Sequence, residues 1–425
     1  MKSLRGSSVI LELPLTLYIT KYVNFGSKSQ MFKLGIFNTQ PPHLYFGGVE
    51  RRIMEFSKRL SEKINVTVYC GTKAGFSKAC NFKKVKIVPC FSTDLFFPLD
   101  NWFFNRTICR AFDQIRADIF EAHTVSGYGL ARALEKRRVR KPLIEVVHGV
   151  LADEYTRTIK GVHPTLRAKV SHALMRYVSK LEMETAQKAT LIVTVSNYSL
   201  KKVVELYGVD EKKVRVVPNG VDPNVFKPME DVDVFKKSLG IKDKYSVLFV
   251  GNLIPRKGVH FLIEAAQHVI KNNDRVVFLV VGDGPLRDFL ISYSAKLGVC
   301  RNFIFLRKIH DSVLSIIYNC ADAFVLPSLQ EGQGIALLEA QASAKPVIAF
   351  DVGGVRECVK HGETGLLIKP DSFALAEAIL KILGDESLRV KMGVSGRGFV
   401  CENFSWDICA KKMFDVYLEV LGKFG

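Results

Sequence analysis

Short apolar runs alternate with longer amphipathic stretches along most of this 425-residue chain, and this alternation constrains its fold more than any other feature. Runs rich in Val, Ile, Leu and Phe between turn residues are typical of buried strands, and the stretches between them have helical periodicity. Alternating strands and helices require crossover connections, which favour a parallel, doubly wound sheet. The predicted strands fall into two sets, at residues 34–38, 65–70, 85–89, 119–122, 143–148, 191–195 and 214–217, and at 246–250, 276–281, 303–306, 323–326, 346–350 and 365–368.

The two sets of strands predict two domains, and 48% apolar residues suffice for two cores. Turn residues from Asn219-Gly220 to Pro228 separate the sets. Residues 1–30 precede the pattern, and their apolar run is shorter than the roughly 20 residues that cross a bilayer. The predicted parts are an extension of unknown role at 1–30, domains at 31–225 and 240–403, and a terminal helix at 404–425.

Two carboxylates flank a glycine-rich turn in the second domain. Glu331 follows the strand at 323–326, and Glu339 is predicted to lie about two turns into a helix that begins near Gly334. Gly332 and Gly334 let the backbone approach a ligand closely, and the amides of a helix N-terminus favour a diphosphate. This pattern suits a sugar nucleotide, because one carboxylate can accept the hydroxyls of the sugar and the other those of the ribose.

Six further short motifs occur in a consistent order between residues 35 and 365. They are Gly47-Gly48-Val49-Glu50-Arg51, Val147-His148-Gly149, Val217-Pro218-Asn219-Gly220-Val221-Asp222, Gly251-Asn252-Leu253-Ile254-Pro255-Arg256-Lys257-Gly258, Gly282-Asp283-Gly284-Pro285 and Asp351-Val352-Gly353-Gly354. With the segment 327–340, this series resembles the retaining nucleotide-sugar glycosyltransferases of family 4. The resemblance implies the α/β fold called GT-B, in which two Rossmann-like domains turn their parallel sheets toward a shared cleft. It also implies that the domain at 31–225 binds the acceptor, that the domain at 240–403 binds the nucleotide sugar, and that the helix at 404–425 crosses back to the first domain.

The resemblance also implies roles for three candidate catalytic residues. His148 ends a predicted strand at the lip of the cleft, where the matching histidine of related enzymes contacts the donor sugar or the acceptor. Lys257 is expected to stabilise the charge that develops on the leaving diphosphate. Glu331 is expected to bind hydroxyls of the donor sugar rather than to act as a covalent nucleophile. His123, at another strand end, is expected to support His148.

Donor-binding positions follow from the same motifs. Most relatives have an arginine where this chain has Asn252, and whether Arg256 replaces that arginine stays open. The base is expected to meet main-chain groups near residue 308. The expected donor-binding residues are Gly47, Gly48, Gly251, Asn252, Arg256, Gly282, Lys308, Ile309, Gly332, Gly334, Ile335, Ala336 and Glu339.

No cofactor is expected beyond the donor itself, a nucleotide diphosphate sugar in which UDP or GDP is favoured. No metal site is expected either, because Asp231-Val232-Asp233 lies in the linker and no His or Cys cluster has ligand spacing. The resemblance therefore implies metal-independent transfer of a hexosyl group to an acceptor hydroxyl, with retention of the anomeric configuration.

Charge is distributed unevenly between the two halves. Residues 1–220 contain 36 Lys and Arg against 18 Asp and Glu, whereas residues 221–425 contain 25 against 24. A solvated basic surface explains this as well as an anionic partner does. A basic cluster at 132–141 and the basic amphipathic segment 160–188 lead to the hypothesis of a lipid-linked or phosphate-bearing acceptor at an anionic membrane surface. Nine cysteines without a Cys-x-x-Cys pair favour a cytoplasmic protein, and the membrane hypothesis places it on the inner face of the cell membrane.

Two other classes of function stay open at this point. A nucleotide-sugar epimerase or a phosphorylase can share the GT-B architecture. Charge alone is also compatible with a nucleic-acid-binding protein. No nucleic acid is expected as a partner, however, because the basic half is patterned as an α/β domain and lacks a recognition helix or zinc motif.

Overall fold

The protein is described here from a computed structural model that places residues 32–45, 47–94, 98–159, 166–307 and 309–424, with side chains from 157 to 172 not described. The predicted extension at 1–30 and Lys308 lie outside the described residues. Within the described ranges the chain forms two sheets with helices on their faces, so the predicted α/β class with two Rossmann-like sheets is confirmed.

The first sheet has eight strands in the order β3-β4-β2-β1-β5-β6-β7-β8. All neighbours are parallel except β3 and β4. The strands are β1 Lys33–Asn38, β2 Asn65–Gly71, β3 Cys80–Phe82, β4 Val85–Cys90, β5 Ile119–His123, β6 Leu143–Val147, β7 Leu191–Thr194 and β8 Val214–Val216. The accompanying helices are α1 Gly48–Leu60, α2 Leu99–Ala111, α3 Tyr128–Arg137, α4 Leu151–Ile159, α5 Leu166–Lys188 and α6 Asn197–Tyr207.

The second sheet has six parallel strands in the order β11-β10-β9-β12-β13-β14. Strands β10, β12 and β13 are apolar and buried along their whole length, as expected when helices cover both faces. The strands are β9 Tyr245–Val250, β10 Val276–Val281, β11 Phe303–Leu306, β12 Ala323–Leu326, β13 Val347–Phe350 and β14 Gly365–Ile368. The helices are α7 Asp233–Ser238, α8 Val259–Asn272, α9 Arg287–Lys296, α10 Asp311–Cys320, α11 Ile335–Ala342, α12 Val355–Cys358, α13 Ser372–Gly384, α14 Glu386–Asn403 and α15 Trp406–Phe424.

The last helix, α15, packs against the first sheet's core rather than the second's. Trp406 is buried and meets the ring of Phe56 edge-on, with ring centroids 5.6 Å apart. Met413 and Tyr417 are buried in the same cluster. The chain therefore crosses from the second sheet back to α1, which ties the two halves together at both ends of the second domain.

The strand order of each sheet places a topological switch point beside one strand. In the first sheet the order reverses at β1, between β2 and β5, and in the second at β9, between β10 and β12. Ligands of open α/β sheets bind at the carboxyl ends of the strands beside such a point. The loops after β1, β5, β9 and β12 are therefore the segments in which a site is expected.

A buried carboxyl group in the first domain makes the stability of the fold depend on pH. Glu182 lies on α5 and accepts hydrogen bonds from the backbone N–H of Leu151, at 3.0 Å, and from the hydroxyl of Tyr207. Burial raises the pKa of Glu182 from 4.5 to about 7, which those two hydrogen bonds only partly oppose. The folded protein therefore holds a proton on Glu182 in a pH range in which the unfolded chain has released it.

We expect the free energy of unfolding to fall as pH rises from about 4.5 through about 7, because a raised carboxyl pKa stabilises the fold only while the group stays protonated. Glu182→Gln removes this titration and should flatten the dependence by on the order of 3 kcal/mol. Denaturant unfolding at about pH 5 and about pH 8 measures the difference. The control is Glu211→Gln, at an exposed carboxylate. If the free energy of unfolding changes with pH equally in Glu182→Gln and the wild type, Glu182 is not the group responsible for the pH dependence.

Candidate active site

Two helix N-termini, one from each domain, lie close together. α1 begins at Gly48, directly after the loop that follows β1, and α11 begins at Ile335, after the loop that follows β12. A Cβ atom on Gly48 would lie only 3.3 Å from Cδ1 of Ile335, so the two ends are close. Each N-terminus carries unpaired amides and partial positive charge. Together they form a place whose partial positive charge favours an anionic group.

The loop between β12 and α11 can take its shape only with glycines at two positions. A Cβ atom on Gly332 would stand 2.4 Å from the carbonyl oxygen of His148, so the two domains touch there through backbone alone. Gly334 has φ +97°, a conformation that side chains disfavour, and it caps α11. Because α11 begins at Ile335, Glu339 lies one turn into the helix, and the sequence-based placement two turns in was wrong.

Glu331 is buried beside two cations of the second domain. Its Oε2 atom accepts a hydrogen bond from Nζ of Lys257 at 2.6 Å, and Nη1 of Arg256 lies 3.8 Å from the same oxygen. Both cations come from the 3-10 turn Pro255–Lys257, which joins the loop after β9 to α8. Arg256 also reaches the first domain, where its Nε lies 3.2 Å from Oε1 of Glu154.

The charges of this cluster support one another. Burial opposes ionisation of Glu331, but Lys257 and Arg256 outweigh it, and the pKa of Glu331 falls below its usual value. Burial also lowers the pKa of Lys257, and Glu331 partly restores it. The Glu331 carboxylate is therefore ionised, and it holds the Lys257 ammonium in place just before the first turn of α8.

Glu339 is paired with a cation from the opposite domain. Arg51, on the first turn of α1, donates to Oε1 of Glu339 through Nη1 and to Asp311 through Nη2. The hydroxyl of Tyr318 donates to Oε2 of Glu339 at 2.8 Å. Glu339 is buried, so these contacts fix its carboxylate beneath the N-terminus of α11. Arg51 thus connects the glycine turn of the first domain to the second carboxylate of the sequence pattern.

An amide pair holds the loop of Glu331 against the linker between the domains. The side chain of Gln333 accepts from the backbone N–H of Asn219 at 2.7 Å and donates to the carbonyl oxygen of Asn219 at 3.0 Å. Both residues are buried. The linker motif therefore fixes the loop, which explains why Asn219 and the Glu331 segment occur in one sequence pattern.

His148 ends a buried relay that starts at the terminal helix. The hydroxyl of Tyr417 donates to Oε2 of Glu121, whose Oε1 lies 2.9 Å from Nε2 of His123. Nδ1 of His123 lies 2.8 Å from Nε2 of His148. Glu121 and His123 are buried on β5, and His148 follows β6 and is half-buried. The relay thus leads from α15 through the first sheet to the cleft.

The charges around the relay assign its protons. Burial opposes ionisation of Glu121, but His123, Tyr417 and Arg52 outweigh it and hold the pKa of this carboxyl low. The Glu121 carboxylate therefore accepts the proton of Nε2 of His123, which leaves Nδ1 of that ring as an acceptor. His148 must then donate through Nε2. Burial lowers the pKa of His148 well below 6.5, and the charge of Arg52 adds to this effect, so its ring is neutral and Nδ1 is left to accept from a ligand.

The remaining predicted donor positions lie on the loops after the strands. Gly251 and Gly282 close the ends of β9 and β10, and a Cβ atom on Gly282 would overlap the carbonyl oxygen of Gly251. Asn252 is exposed, whereas Arg256 lies beside Glu331. Other predicted positions flank these groups: Gly47 precedes α1, Ala336 accepts a long hydrogen bond from Tyr318 through its carbonyl oxygen, and Ile309 packs at the edge of the second core.

Three contributors to the site escaped the sequence analysis. Arg51 stood in the glycine motif, Glu121 lay within the predicted strand 119–122, and Tyr417 lay within the predicted terminal helix, but none of the three had a predicted role. An acidic residue inside an apolar strand is the signal that could have identified Glu121, because such a group requires a buried partner. Across the described ranges, no three metal-ligating side chains lie close enough to share an ion.

Sequence and structure comparisons agree with this architecture. The family model described as Glycosyltransferase Family 4 matches residues 46–225, and the model described as Glycosyl transferases group 1 matches residues 231–399. A glycosyltransferase of Methanocaldococcus jannaschii, the uncharacterized MJ1178, is 30% identical over 71% of this chain and 76% of its own length. The fold and the matches define a GT-B glycosyltransferase. The chain belongs to the group 1, family 4 glycosyltransferases, so the resemblance seen in its sequence is confirmed.

Two further relatives are informative by name. The UDP-Gal:alpha-D-GlcNAc-diphosphoundecaprenol alpha-1,3-galactosyltransferase of Escherichia coli is 31% identical over 57% of this chain and 63% of its own length. The crystal structure of Anabaena Alr3699/HepE in complex with UDP and glucose superposes with a TM-score of 0.72, at 20% identity, over 91% of this chain and all of that one. The latter likeness concerns the fold. Family membership also makes this protein a transferase enzyme.

The relay predicts the effect of an isosteric change far from the cleft. Glu121→Gln still accepts from Tyr417 but donates to Nε2 of His123, which moves the proton of that ring to Nδ1 and reverses the tautomer of His148. We expect kcat to fall roughly ten- to hundredfold, the cost of 1–3 kcal/mol for a lost buried hydrogen bond. Nitrogen NMR of the imidazole rings reports the tautomer directly.

Tyr417→Phe is the matched control, because it removes the other hydrogen bond of Glu121 without changing the proton on His123. It should preserve the tautomer of His148 and most of kcat. If Glu121→Gln leaves the ring nitrogens of both histidines unchanged, the proton assignment is wrong.

Proposed function

We propose that this enzyme transfers a hexosyl group from a nucleotide diphosphate sugar to a hydroxyl group of an acceptor, with retention of the anomeric configuration and without a metal ion. The observation that carries the proposal is the pairing of two buried carboxylates with cations beside two neighbouring helix N-termini. Glu331 is bound by Lys257, and Glu339 by Arg51. Such a site offers acceptors for hydroxyls and positive charge for a diphosphate within one cleft.

In the proposed reaction the bond from the anomeric carbon to the diphosphate oxygen breaks, and both electrons leave with the nucleotide. The acceptor hydroxyl attacks the anomeric carbon from the face on which the diphosphate departs. Its proton passes to the leaving phosphate oxygen, so charge and atoms balance. Lys257 uses one of its three donors on Glu331 and keeps two for the departing diphosphate. Such preorganised cations stabilise the negative charge that develops on the leaving diphosphate, so the proposed reaction requires no metal ion.

The two carboxylates divide the donor between them. Glu331 accepts hydroxyls of the transferred sugar, and His148 accepts another through Nδ1. Glu339 accepts hydrogen bonds from the hydroxyls of the ribose through the oxygen lone pairs that Arg51 and Tyr318 leave unused. UDP and GDP sugars are both donors of the proposed class. The printed name of the Escherichia coli relative and the UDP bound in the HepE crystal structure support a nucleotide-sugar donor.

We propose the division of labour that the sequence suggested. Residues 31–225 bind the acceptor, residues 240–403 bind the nucleotide sugar, and the helix at 404–425 crosses back. The excess of cations in the first 220 residues supports a lipid-linked or phosphate-bearing acceptor at an anionic membrane surface. So does the diphosphoundecaprenol in the name of the Escherichia coli relative. None of the helices in the described part of the chain has both the length and the hydrophobicity of a membrane span. Nine unpaired cysteines support a reducing compartment such as the cytoplasm.

Thermal shift of the purified protein tests the donor site. The panel contains UDP, GDP and ADP with their sugar conjugates, each with and without EDTA. A shift that grows with the concentration of one nucleotide and survives EDTA supports the proposal and identifies the base. No shift with any nucleotide, or a shift that EDTA abolishes, contradicts it.

Glu331→Gln should lower kcat with little change in nucleotide affinity, because Glu331 is proposed to hold the transferred sugar, which the nucleotide alone lacks. The loss of a charged hydrogen bond of 1.5–3 kcal/mol corresponds to roughly ten- to hundredfold in rate. Initial rates with the donor identified above, together with nucleotide titration, separate the two effects. The control is Glu363→Gln, at an exposed carboxylate of the same domain. Unchanged turnover, or a covalent glycosyl adduct on another residue, would show that Glu331 has a different role.

Glu339→Ala should weaken nucleotide binding, because it removes the carboxylate proposed to hold the ribose. We expect Kd to rise roughly tenfold or more, as for a lost charged hydrogen bond. Asp311→Ala is the matched control, since it deprives Arg51 of its other partner but leaves Glu339 in place. Isothermal titration with the nucleotide compares the two. Equal Kd values for both variants would mean that the ribose does not depend on Glu339.

A further inference from the structure

A groove in the first domain lies outside the site described above. It is formed between α2, α3 and α5 and encloses about 660 Å³, a volume typical of small-molecule sites. Val125, two residues beyond His123 of the relay, is one of its lining residues. On α3 the lining runs from Tyr128 to Lys136, which corresponds to about 12 Å of helix.

The groove combines an apolar floor with an aromatic rim. Val125 and Val178 are buried in the floor, and Leu181 lies beside them. At the rim, Trp102 is 49% exposed and Tyr177 is 50% exposed, which is unusual for side chains of this size. Exposed aromatic rings around an apolar pocket favour a ligand with a hydrocarbon part.

Four cations stand in two rows on the facing helices. Arg106 and Arg110 lie one turn apart on α2, and Arg132 and Lys136 lie one turn apart on α3. Within the described part of the chain, none of the four is ion-paired with a carboxylate. The carboxylate of the lining, Glu135, is paired with Lys188 instead.

Aromatic contacts hold two of these cations at the edge of the groove. The guanidinium of Arg106 lies 5.3 Å from the ring centre of Trp102, and that of Arg132 lies 5.6 Å from the ring of Tyr128. Arg132 also donates to the hydroxyl of Tyr128 at 3.2 Å. These contacts leave the remaining guanidinium donors free to bind an anion in the fork geometry that phosphate prefers.

We propose that this groove binds the phosphate-bearing lipid part of the acceptor. Its phosphate or diphosphate lies between the two rows of cations, and its hydrocarbon chain lies on the apolar floor under Trp102 and Tyr177. The hydroxyl-bearing end then projects past Val125 toward His148. This inference rests on the proposed function, in which the first domain holds the acceptor. It adds the site, the ligand class and the residues that recognise each part.

A phosphate-bearing lipid fits the groove better than a nucleic acid strand does. Bases stack on aromatic rings along open, charged tracks. Here the aromatic rings border a half-open groove with an aliphatic floor, and the cations are confined to one turn of each of two helices.

Tryptophan fluorescence of the full chain tests the proposal. Trp406 is buried, so of the two tryptophans only Trp102 is exposed to a ligand of the groove. The probes are farnesyl diphosphate, inorganic pyrophosphate, farnesol and a single-stranded oligonucleotide. We expect saturable binding of farnesyl diphosphate, with a Kd at least roughly tenfold lower than that of pyrophosphate or farnesol alone, because head and tail contribute together.

The variant Arg106→Gln/Arg132→Gln should raise the Kd for farnesyl diphosphate roughly tenfold or more, through the loss of two charged contacts. The control Arg140→Gln/Lys213→Gln removes the same charge at exposed positions outside the groove and should leave Kd unchanged. Equal effects of both double variants would overturn the proposal in favour of general electrostatic attraction. Binding of the oligonucleotide that farnesyl diphosphate fails to displace would overturn it as well.

Nucleotide thermal shift of the same proteins separates this inference from the proposed function. A normal nucleotide shift without binding of farnesyl diphosphate rejects the groove alone. The absence of any nucleotide shift rejects the proposed function, whatever the groove binds. A normal shift in the double variant also shows that the variant is folded.

Discussion

Arg52 carries a full positive charge at a point that solvent does not reach, and the first domain is arranged around that charge. Taking a guanidinium out of water is costly unless other groups replace the solvent. Nη1 of Arg52 donates to the carbonyl oxygen of Val217 at 2.8 Å and to the side chain of Asn219 at 3.2 Å. The ring of Phe56 lies 4.5 Å away, and Glu121 supplies the opposite charge. Because these partners come from α1, β5 and the segment after β8, one buried cation holds three distant parts of the chain in a single arrangement.

The same cation connects the two sides of the active site. Through Asn219 it reaches Gln333 and so the loop of Glu331, and through Glu121 it reaches His123 and His148. The cleft is thus preorganised before a donor enters, with both carboxylates already paired with cations. In the proposed function, the donor therefore meets charges that are already paired, and its hydroxyls and phosphates bind the lone pairs and N–H donors that these pairs leave unused. Such binding involves less reorganisation than charging or desolvating a group during the reaction.

Local sequence patterns predicted much of the fold of this protein, but they predicted few of its long-range side-chain contacts. The alternation of apolar runs predicted both sheets, and the glycine motifs predicted the loops after β1, β9 and β12. Strand β3 was missed because its three residues are exposed and carry no alternating apolar pattern. The contact between Arg51 and Glu339 joins residues 288 positions apart. Its formation depends on how two domains meet, which no local pattern reports. The bond from His123 to His148 depends in the same way on the register of β5 and β6.

The hydrogen bond between Tyr417 and Glu121 has a consequence for how the protein is made. These residues are 296 positions apart, so translation delivers β5 long before α15. At ribosomal speeds the interval is on the order of tens of seconds, far longer than a helix or a hydrophobic collapse takes to form. During that time the nascent first domain has an uncovered apolar face where Trp406 and Met413 later pack, and Glu121 lacks one of its partners. Vectorial synthesis therefore delays completion of the histidine relay until the second domain has emerged. Until then, the nascent chain needs protection from aggregation over the apolar face on which Trp406 and Met413 later pack.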